Sequence, residues 1–195
     1  MLKQNNLAIV IPAYKSTFLA AALDSIAAQT CQDFILYIGD DCSPNNLGEI
    51  VDGYRDKINL VYKRFDTNLG GKDLVAQWER CIDMTQGEDW LWLFSDDDVM
   101  EKNCVEEFYK TIKEKPKAGL IHFNVNRLDN ATGKISPLPK FPDFCSSKFY
   151  LDEKLKGHLI SFVVEFVVRR DVFFDNGRFQ NFDMAWGSDF ISWVK

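Results

Sequence analysis

The sequence predicts an α/β fold organised on a mostly parallel sheet. Short apolar runs alternate with amphipathic stretches through the first half of the chain, which is the pattern of βαβ units. Two of those runs, residues 7–11 and 90–94, are apolar at every position, as expected of strands covered on both faces. Runs of this kind give way to proline, glycine and acid residues, and open α/β sheets gather their ligands at just such carboxyl ends of strands.

In chain order, Leu7-Ala8-Ile9-Val10-Ile11 reads as the first strand. Pro12 and Ala13 lead to Ser16 or Thr17 as a helix cap, followed by Leu19, Ala22, Leu23, Ile26 and Ala27 at helical spacing. Residues 34–38 make the second strand, stopped by the turn-rich Gly39-Asp40-Asp41-Cys42-Ser43-Pro44. Leu47, Ile50, Val51 and Tyr54 predict a helix, and residues 58–62 a third strand. The loop Asp66-Thr67-Asn68-Leu69-Gly70-Gly71 precedes a helix with Leu74, Val75, Trp78, Cys81 and Ile82 on one face. Residues 90–94 form the fourth strand, and 101–115 a helix stopped by Pro116.

After Pro116 the pattern changes. Residues 120–125 read as a strand and Asp129-Asn130-Ala131-Thr132-Gly133 as a hairpin turn. Residues 137–147, with three prolines, predict an irregular loop able to cover a site. A helix over 148–158, a buried strand over 162–168, a short helix over 170–176 closed by Gly177 and a further helix reaching Lys195 complete the chain.

Composition narrows the function. Lys and Arg number 23 against 29 Asp and Glu, a net charge of −6, so no basic stripe supports nucleic-acid binding. An anionic substrate would need a metal or a local basic group. The five cysteines are odd in number and contain no C-x-x-C pair, which argues against a disulfide framework or zinc site and for a reducing cytoplasm. The run 7–11 is too short for a signal-peptide core, and no stretch approaches the roughly 18 apolar residues of a membrane span. Without secretion, the glycosylation sequon Asn130-Ala131-Thr132 is a chance match.

The chemistry concentrates at Asp96-Asp97-Asp98, which closes the fourth strand. Two carboxylates about 5 Å apart at an effective dielectric near 20 repel by roughly 3 kcal/mol, and a divalent hard cation is the obvious relief. The loops after the first four strands offer Pro12-Ala13-Tyr14, Asp40-Asp41, Asn68-Gly70-Gly71-Lys72 and Ser95 with the triplet. Together these suit a nucleotide: an aromatic and acids for base and ribose, glycines for close backbone approach, and the triplet for a cation on a diphosphate. The bland alternative, acids solvating loop ends, holds for any one loop more easily than for all four. Gly70-Gly71-Lys72 lacks the leading glycine and Ser/Thr of a P-loop, and no G-x-G-x-x-G follows a strand. Asp96-x-Asp98 also leaves open an aspartyl-phosphate nucleophile pair, although three strands precede it where such a pair usually opens its domain.

The ordered set Ile9-Val10-Ile11-Pro12-Ala13-Tyr14, Gly39-Asp40-Asp41-Cys42-Ser43, Asn68-Leu69-Gly70-Gly71 and Phe94-Ser95-Asp96-Asp97-Asp98-Val99 closely resembles the family-2 glycosyltransferases of GT-A fold. Residues 165–173, Gly177-Arg178-Phe179 and Gly187-Ser188-Asp189 continue the match. The resemblance implies a Rossmann-like, mostly parallel central sheet with helices on both faces and a smaller acceptor-side β element. It divides the chain into a nucleotide-sugar-binding half over 1–115 and an acceptor-side half over 116–195, expected to continue at its C-terminal end.

By the same resemblance, Pro12, Ala13 and Tyr14 line the nucleobase pocket, Asp41 hydrogen-bonds the base, and Asp40 supports that loop. Asn68, Gly70 and Lys72 belong to the donor site, Asp96 meets the ribose, and Asp97 and Asp98 hold Mg²⁺ or Mn²⁺. Ser95 stands where the family often has its first aspartate, and Ser188 where it has a glutamate before the base. Asp189 is the general base. The implied function is metal-dependent, inverting transfer of a sugar from a nucleotide donor, expected to be a UDP-sugar, to a hydroxyl of a glycan or lipid-linked glycan in cell-surface polysaccharide or lipopolysaccharide synthesis. The expected setting is the cytoplasm, at the inner membrane face if a missing C-terminal part associates with the membrane. An aspartyl-phosphate phosphotransferase and a non-catalytic nucleotide-sugar-binding module are the alternatives. Trp186 reads as a sugar-stacking or core residue, Arg169 and Arg170 as facing the diphosphate or capping a strand end, and His122 and His158 as structural or exposed.

Overall fold

The computed structural model describes residues 6–195. The first half runs β1 (Leu7–Ala13), α1 (Leu19–Ala27), β2 (Ile35–Asp40), α2 (Leu47–Asp52), β3 (Leu60–Arg64), α3 (Leu74–Ile82), β4 (Trp90–Leu93) and α4 (Cys104–Glu114). The second half adds β5 (Leu120–His122), β6 (Asn126–Leu128), β7 (Ile135–Pro137), α5 (Ser147–Leu155), β8 (Phe166–Arg169), α6 (Arg170–Asp175) and α7 (Ser188–Val194). One sheet has the order β3-β2-β1-β4-β8-β5. Its first four strands in that order pair in parallel, whereas β8 is antiparallel to both β4 and β5. β6 and β7 form a separate antiparallel hairpin, the small second β element.

Alternation along β1 explains why both faces of the sheet are covered. Leu7, Ile9 and Ile11 join one core with Leu19, Leu23 and Ile26 of α1, Leu47 and Val51 of α2, and Val105 and Phe108 of α4. Ala8 and Val10 face the other, with Val75, Cys81 and Ile82 of α3, Tyr150 of α5, Phe173 of α6 and Trp193 of α7. A strand buried on both faces reads as an unbroken apolar run, which is the run seen in the sequence.

Several boundaries differ from the sequence reading, each for a local reason. β1 continues through Pro12 to Ala13, and β2 through Gly39 to Asp40, so Asp40 is a strand residue and not part of the turn. Neither Ser16 nor Thr17 caps α1; Phe18 holds the N-cap position, and its carbonyl takes the Ala22 N–H at 3.0 Å. The run 162–168 is only half strand, because Glu165 folds back. Its Oε1 accepts the Phe162 N–H at 2.9 Å, closing a 3-10 turn over Val163–Glu165 before β8 begins. No helix of the described residues is long and apolar enough to cross a membrane. All five cysteines are free.

Candidate active site

The carboxyl ends of β1 to β4 are fastened to one another. Val10 O accepts the Phe94 N–H at 2.8 Å, so Pro12, two residues on, turns the same edge to β4 with no N–H to offer. The β1–β4 ladder stops there and the strands part. Beyond the gap, Asp96 Oδ2 accepts the backbone N–H groups of Tyr14 and Lys15 at 2.8 and 2.9 Å. Ser43 Oγ donates to Tyr14 O at 2.5 Å, and the Asp41 N–H to Ala13 O at 2.8 Å. Tyr14 itself is 42% exposed, its ring available to a ligand.

Asp40 and Asp41 leave β2 with opposite partners. Asp40, fully buried, accepts from Ser43 N at 2.8 Å, Tyr62 Oη at 2.6 Å and Arg64 Nη1 at 2.8 Å. Arg64 also donates to Ser43 O at 2.8 Å, so the acid and its partners hold the Cys42–Ser43 turn. Burial, with Asp40 alongside, pushes the Tyr62 hydroxyl up to about 12. Asp41, 3% exposed, accepts the N–H groups of Leu69 at 2.7 Å and Gly70 at 2.8 Å and is ion-paired with Arg80. The Arg80 guanidinium lies 3.9 Å over the Phe65 ring. A Cβ on Gly70 would stand 2.8 Å from Asp41 Oδ2, so this loop requires glycine for its close approach. Asn68 accepts the Gly71 N–H at 2.9 Å, while Lys72 is exposed.

Within the triplet the three acids have separate situations. Asp96 is committed to the β1 loop, and burial raises its pKa against the pull of the two N–H groups. Asp97 is exposed. Asp98 is raised by burial first and then by the charge of Asp97. No cluster of three or more His, Cys, Asp or Glu ligands exists among the described residues. The donor set nevertheless fits a Mg²⁺ or Mn²⁺ ion of the kind held by one or two carboxylates and completed by substrate phosphates. Asp97 and Asp98 are the carboxylates that would hold it.

Asp189 stands in the first turn of α7, behind the N-cap Gly187 at φ +77. Met184 and Ala185 also adopt positive φ, at 56° and 58°, so the segment entering α7 is held in a conformation costly for side-chain-bearing residues. Ser188 is buried and accepts the Phe182 N–H at 3.1 Å. Burial raises the Asp189 pKa against the pull of the Phe190 N–H and, after it, of the Lys154 charge. Trp186 is 81% exposed, which rules out the core alternative for that ring. Asn181 donates to both carboxylate oxygens of Asp73, the α3 cap, at 3.1 and 3.0 Å, so the segment before Asp189 is tied to the loop carrying Asn68 and Lys72.

Two sequence alternatives are now resolved. Arg169 pairs with Trp90 at the amino end of β4, away from the triplet, and binds Asp171 and Ala118 O. Arg170 donates to Glu88 O and, at 2.7 Å, to Thr85 Oγ1, so neither arginine faces a diphosphate held by Asp97 and Asp98. His122 is structural: its Nε2 lies 2.6 Å from Glu165 Oε2, and Phe141 stacks on the ring at 3.8 Å. His158 is exposed and bonds Glu153 at 2.9 Å. Arg80 and Arg64 are not singled out by the sequence, because their partners lie in other elements and no spacing announces them.

Comparison with known proteins identifies the family and the fold. The family model described as glycosyl transferase family 2 matches residues 8–174. Glycosyltransferase GlyG of Streptococcus pneumoniae serotype 4 is 28% identical over 149 residues, 75% of this chain and 48% of GlyG. The poly(ribitol-phosphate) beta-N-acetylglucosaminyltransferase TarS of Staphylococcus aureus is 31% identical over 110 residues, 54% of this chain and 18% of TarS. Among solved structures, S. aureus TarS 1-349 in complex with UDP-GlcNAc superposes with a TM-score of 0.72 at 21% identity, covering 90% of this chain and 49% of that one. Mannosyltransferase PcManGT of Pyrobaculum calidifontis, in complex with GDP-Man and Mn²⁺, gives 0.65 at 12% identity, covering 94% and 49%. These likenesses establish the GT-A type of fold, and the chain spans about half the length of these proteins or less.

Proposed function

The chain belongs to glycosyl transferase family 2, and from that premise we propose that it serves the metal-dependent, inverting transfer of a sugar from a nucleotide-sugar, a UDP-sugar, to a glycan hydroxyl. Residues 1–115 form the donor half and 116–195 the acceptor half. The observation that carries this reading is the fastening of four strand ends around one gap, with Asp96 tied to Tyr14 and Lys15 and Asp41 to Leu69 and Gly70. The complex of TarS with UDP-GlcNAc supports the choice of uridine donor.

In the donor half, Pro12, Ala13 and Tyr14 wall the base pocket and Asp41 takes the base from its floor. Three of the four or so acceptor sites of the Asp41 carboxylate already have donors, which leaves room for one more. Asp96 has an oxygen free for the ribose. Asp97 and Asp98 would hold Mg²⁺ or Mn²⁺, an ion that would supply stabilisation of the charge growing on the departing nucleotide. In the acceptor half, Asp189 accepts the proton of the acceptor hydroxyl as its oxygen bonds to the anomeric carbon. One base and direct attack invert that carbon. The acceptor belongs to cell-surface polysaccharide or lipopolysaccharide assembly; the similar TarS is named for transfer of N-acetylglucosamine to poly(ribitol-phosphate), a polymeric acceptor. The free cysteines suit a reducing cytoplasm.

Calorimetric titration of UDP with and without Mn²⁺ tests the donor half: binding strengthened by the metal is expected, and metal-independent binding would remove the assigned role of Asp97 and Asp98. Turnover of UDP-GlcNAc, followed as UDP release, tests catalysis. Turnover lost in Asp189→Asn with UDP binding intact is the expected result, whereas binding without turnover in the native chain would favour the non-catalytic module.

A further inference from the structure

Tyr14 is fastened at both of its backbone groups. Asp96 Oδ2 takes its N–H at 2.8 Å, and Ser43 Oγ donates to its carbonyl at 2.5 Å. The second fastening leads back to β3. Ser43 N donates to Asp40 Oδ1 at 2.8 Å, and Asp40 Oδ2 accepts from Tyr62 Oη at 2.6 Å and from Arg64 Nη1 at 2.8 Å. The other arm of the Arg64 fork, Nη2, donates to Ser43 O at 2.8 Å, so one guanidinium bridges both ends of the Asp40–Ser43 turn. Between those ends Cys42 has φ +55, a conformation uncommon for any residue but glycine, which persists only where its surroundings over-determine it. The Asp40 side chain is fully buried and Ser43 almost so, whereas that of Arg64 is 46% exposed.

We propose that Arg64 is a positioning residue for the nucleotide: by bracing the Asp40–Ser43 turn, its guanidinium fixes the Ser43 hydroxyl at the Tyr14 carbonyl and so sets Tyr14 for the base, without itself meeting the donor. This rests on the reading of Tyr14 as a wall of the base pocket. Asp41 is not the route. It has anchors of its own in the N–H groups of Leu69 and Gly70 and in Arg80, and its N–H stays on Ala13 O at 2.8 Å. A loosened turn therefore leaves Asp41 and Ala13 in place, and Tyr14 is the first residue it frees. A purely structural Arg64 would change stability and leave the affinity of the folded protein for nucleotide as it is; a positioning Arg64 changes that affinity through Ser43.

The deciding experiment is a double-mutant cycle on UDP affinity, measured by calorimetry with Mn²⁺ on the full chain. Arg64→Met and Ser43→Ala are each expected to weaken UDP by about tenfold, and the double variant by no more than either, because both cut the same path to Tyr14. Native affinity in a folded Arg64→Met protein overturns the proposal. So do losses that multiply in the double variant, which would put Arg64 on the donor itself or on another route. If the methionine variant does not fold, Arg64→Lys takes its place in the cycle, with the same loss expected and native affinity again overturning the proposal, since an ammonium lacks the planar fork that spans Asp40 and Ser43 O. A native chain that binds no UDP removes the base-pocket reading and this inference together; native binding with unchanged variants removes Arg64 alone.

Discussion

A single oxygen, Asp96 Oδ2, holds the backbone of Tyr14, at 2.8 Å, with the next N–H, that of Lys15, at 2.9 Å. The acid after β4 thereby sets the course of the loop after β1. Asp96→Ala is expected to cost only about 1 kcal/mol in urea unfolding, because the released N–H groups reach water. UDP affinity should fall much more, since the Tyr14 wall loses its anchor. Asp96→Asn keeps an acceptor oxygen and should retain most of the binding; equal losses in the two variants would show that charge, not the anchoring, matters.

Arg80 and Asp41 form the second test. Arg80→Met leaves a carboxylate that is 3% exposed without its cation, and a loss of about 2 kcal/mol in unfolding free energy is expected. Arg80→Lys should recover little, because lysine lacks the planar group that stacks on Phe65 while reaching Asp41.

Gly70→Ala sets a methyl group against Asp41 Oδ2, 2.8 Å away. Either the loop or the carboxylate must shift. Overpacking of this kind costs about 1–3 kcal/mol, and UDP affinity should drop with stability. A variant that unfolds like the native protein and binds UDP equally well would mean that Asp41 is free to move.

Asp97 is exposed, so Asp97→Asn should change unfolding free energy by no more than about 0.5 kcal/mol. Its effect belongs to metal: the gain in UDP affinity on adding Mn²⁺ should shrink by about tenfold, or about 1.4 kcal/mol. Calorimetry with and without the ion reads both quantities.

For Asp189 the sign of the pH effect follows from burial. Its folded-state pKa is raised, so the folded chain holds this proton more tightly than the unfolded one. Stability contributed by the protonated acid is therefore lost as pH rises from the unfolded value through the folded value. Asp189→Asn carries no such loss. It should match the native protein at about pH 3, below the ordinary aspartate range, and exceed it near neutrality, while turnover disappears. Thermal unfolding at several pH values would show the two curves diverging; parallel curves would mean that the carboxylate is solvated.

The strands that carry the site could be read from the sequence because burial on both faces leaves an uninterrupted apolar signature, as in 7–11 and 90–94. Where a charge sits inside a strand, that signature fails. Asp40 reads as a turn residue because nothing local announces that Tyr62 and Arg64, one strand away, satisfy it. Glu165 broke an apparent strand for the same kind of reason, with His122 supplying the distant partner. The triplet and the glycine loop were visible as motifs. Their mutual fastening was not, since Asp96 grips backbone N–H groups of the β1 loop, and backbone leaves no trace in residue identity.

The linked ends of β1 to β4 also bear on kinetics. A recess whose walls are braced as the chain folds needs little reorganisation when the nucleotide arrives, so most of the lost freedom on association belongs to the ligand. Encounter with the donor should then proceed in one step at a rate proportional to its concentration, without a slow rearrangement of this half of the molecule.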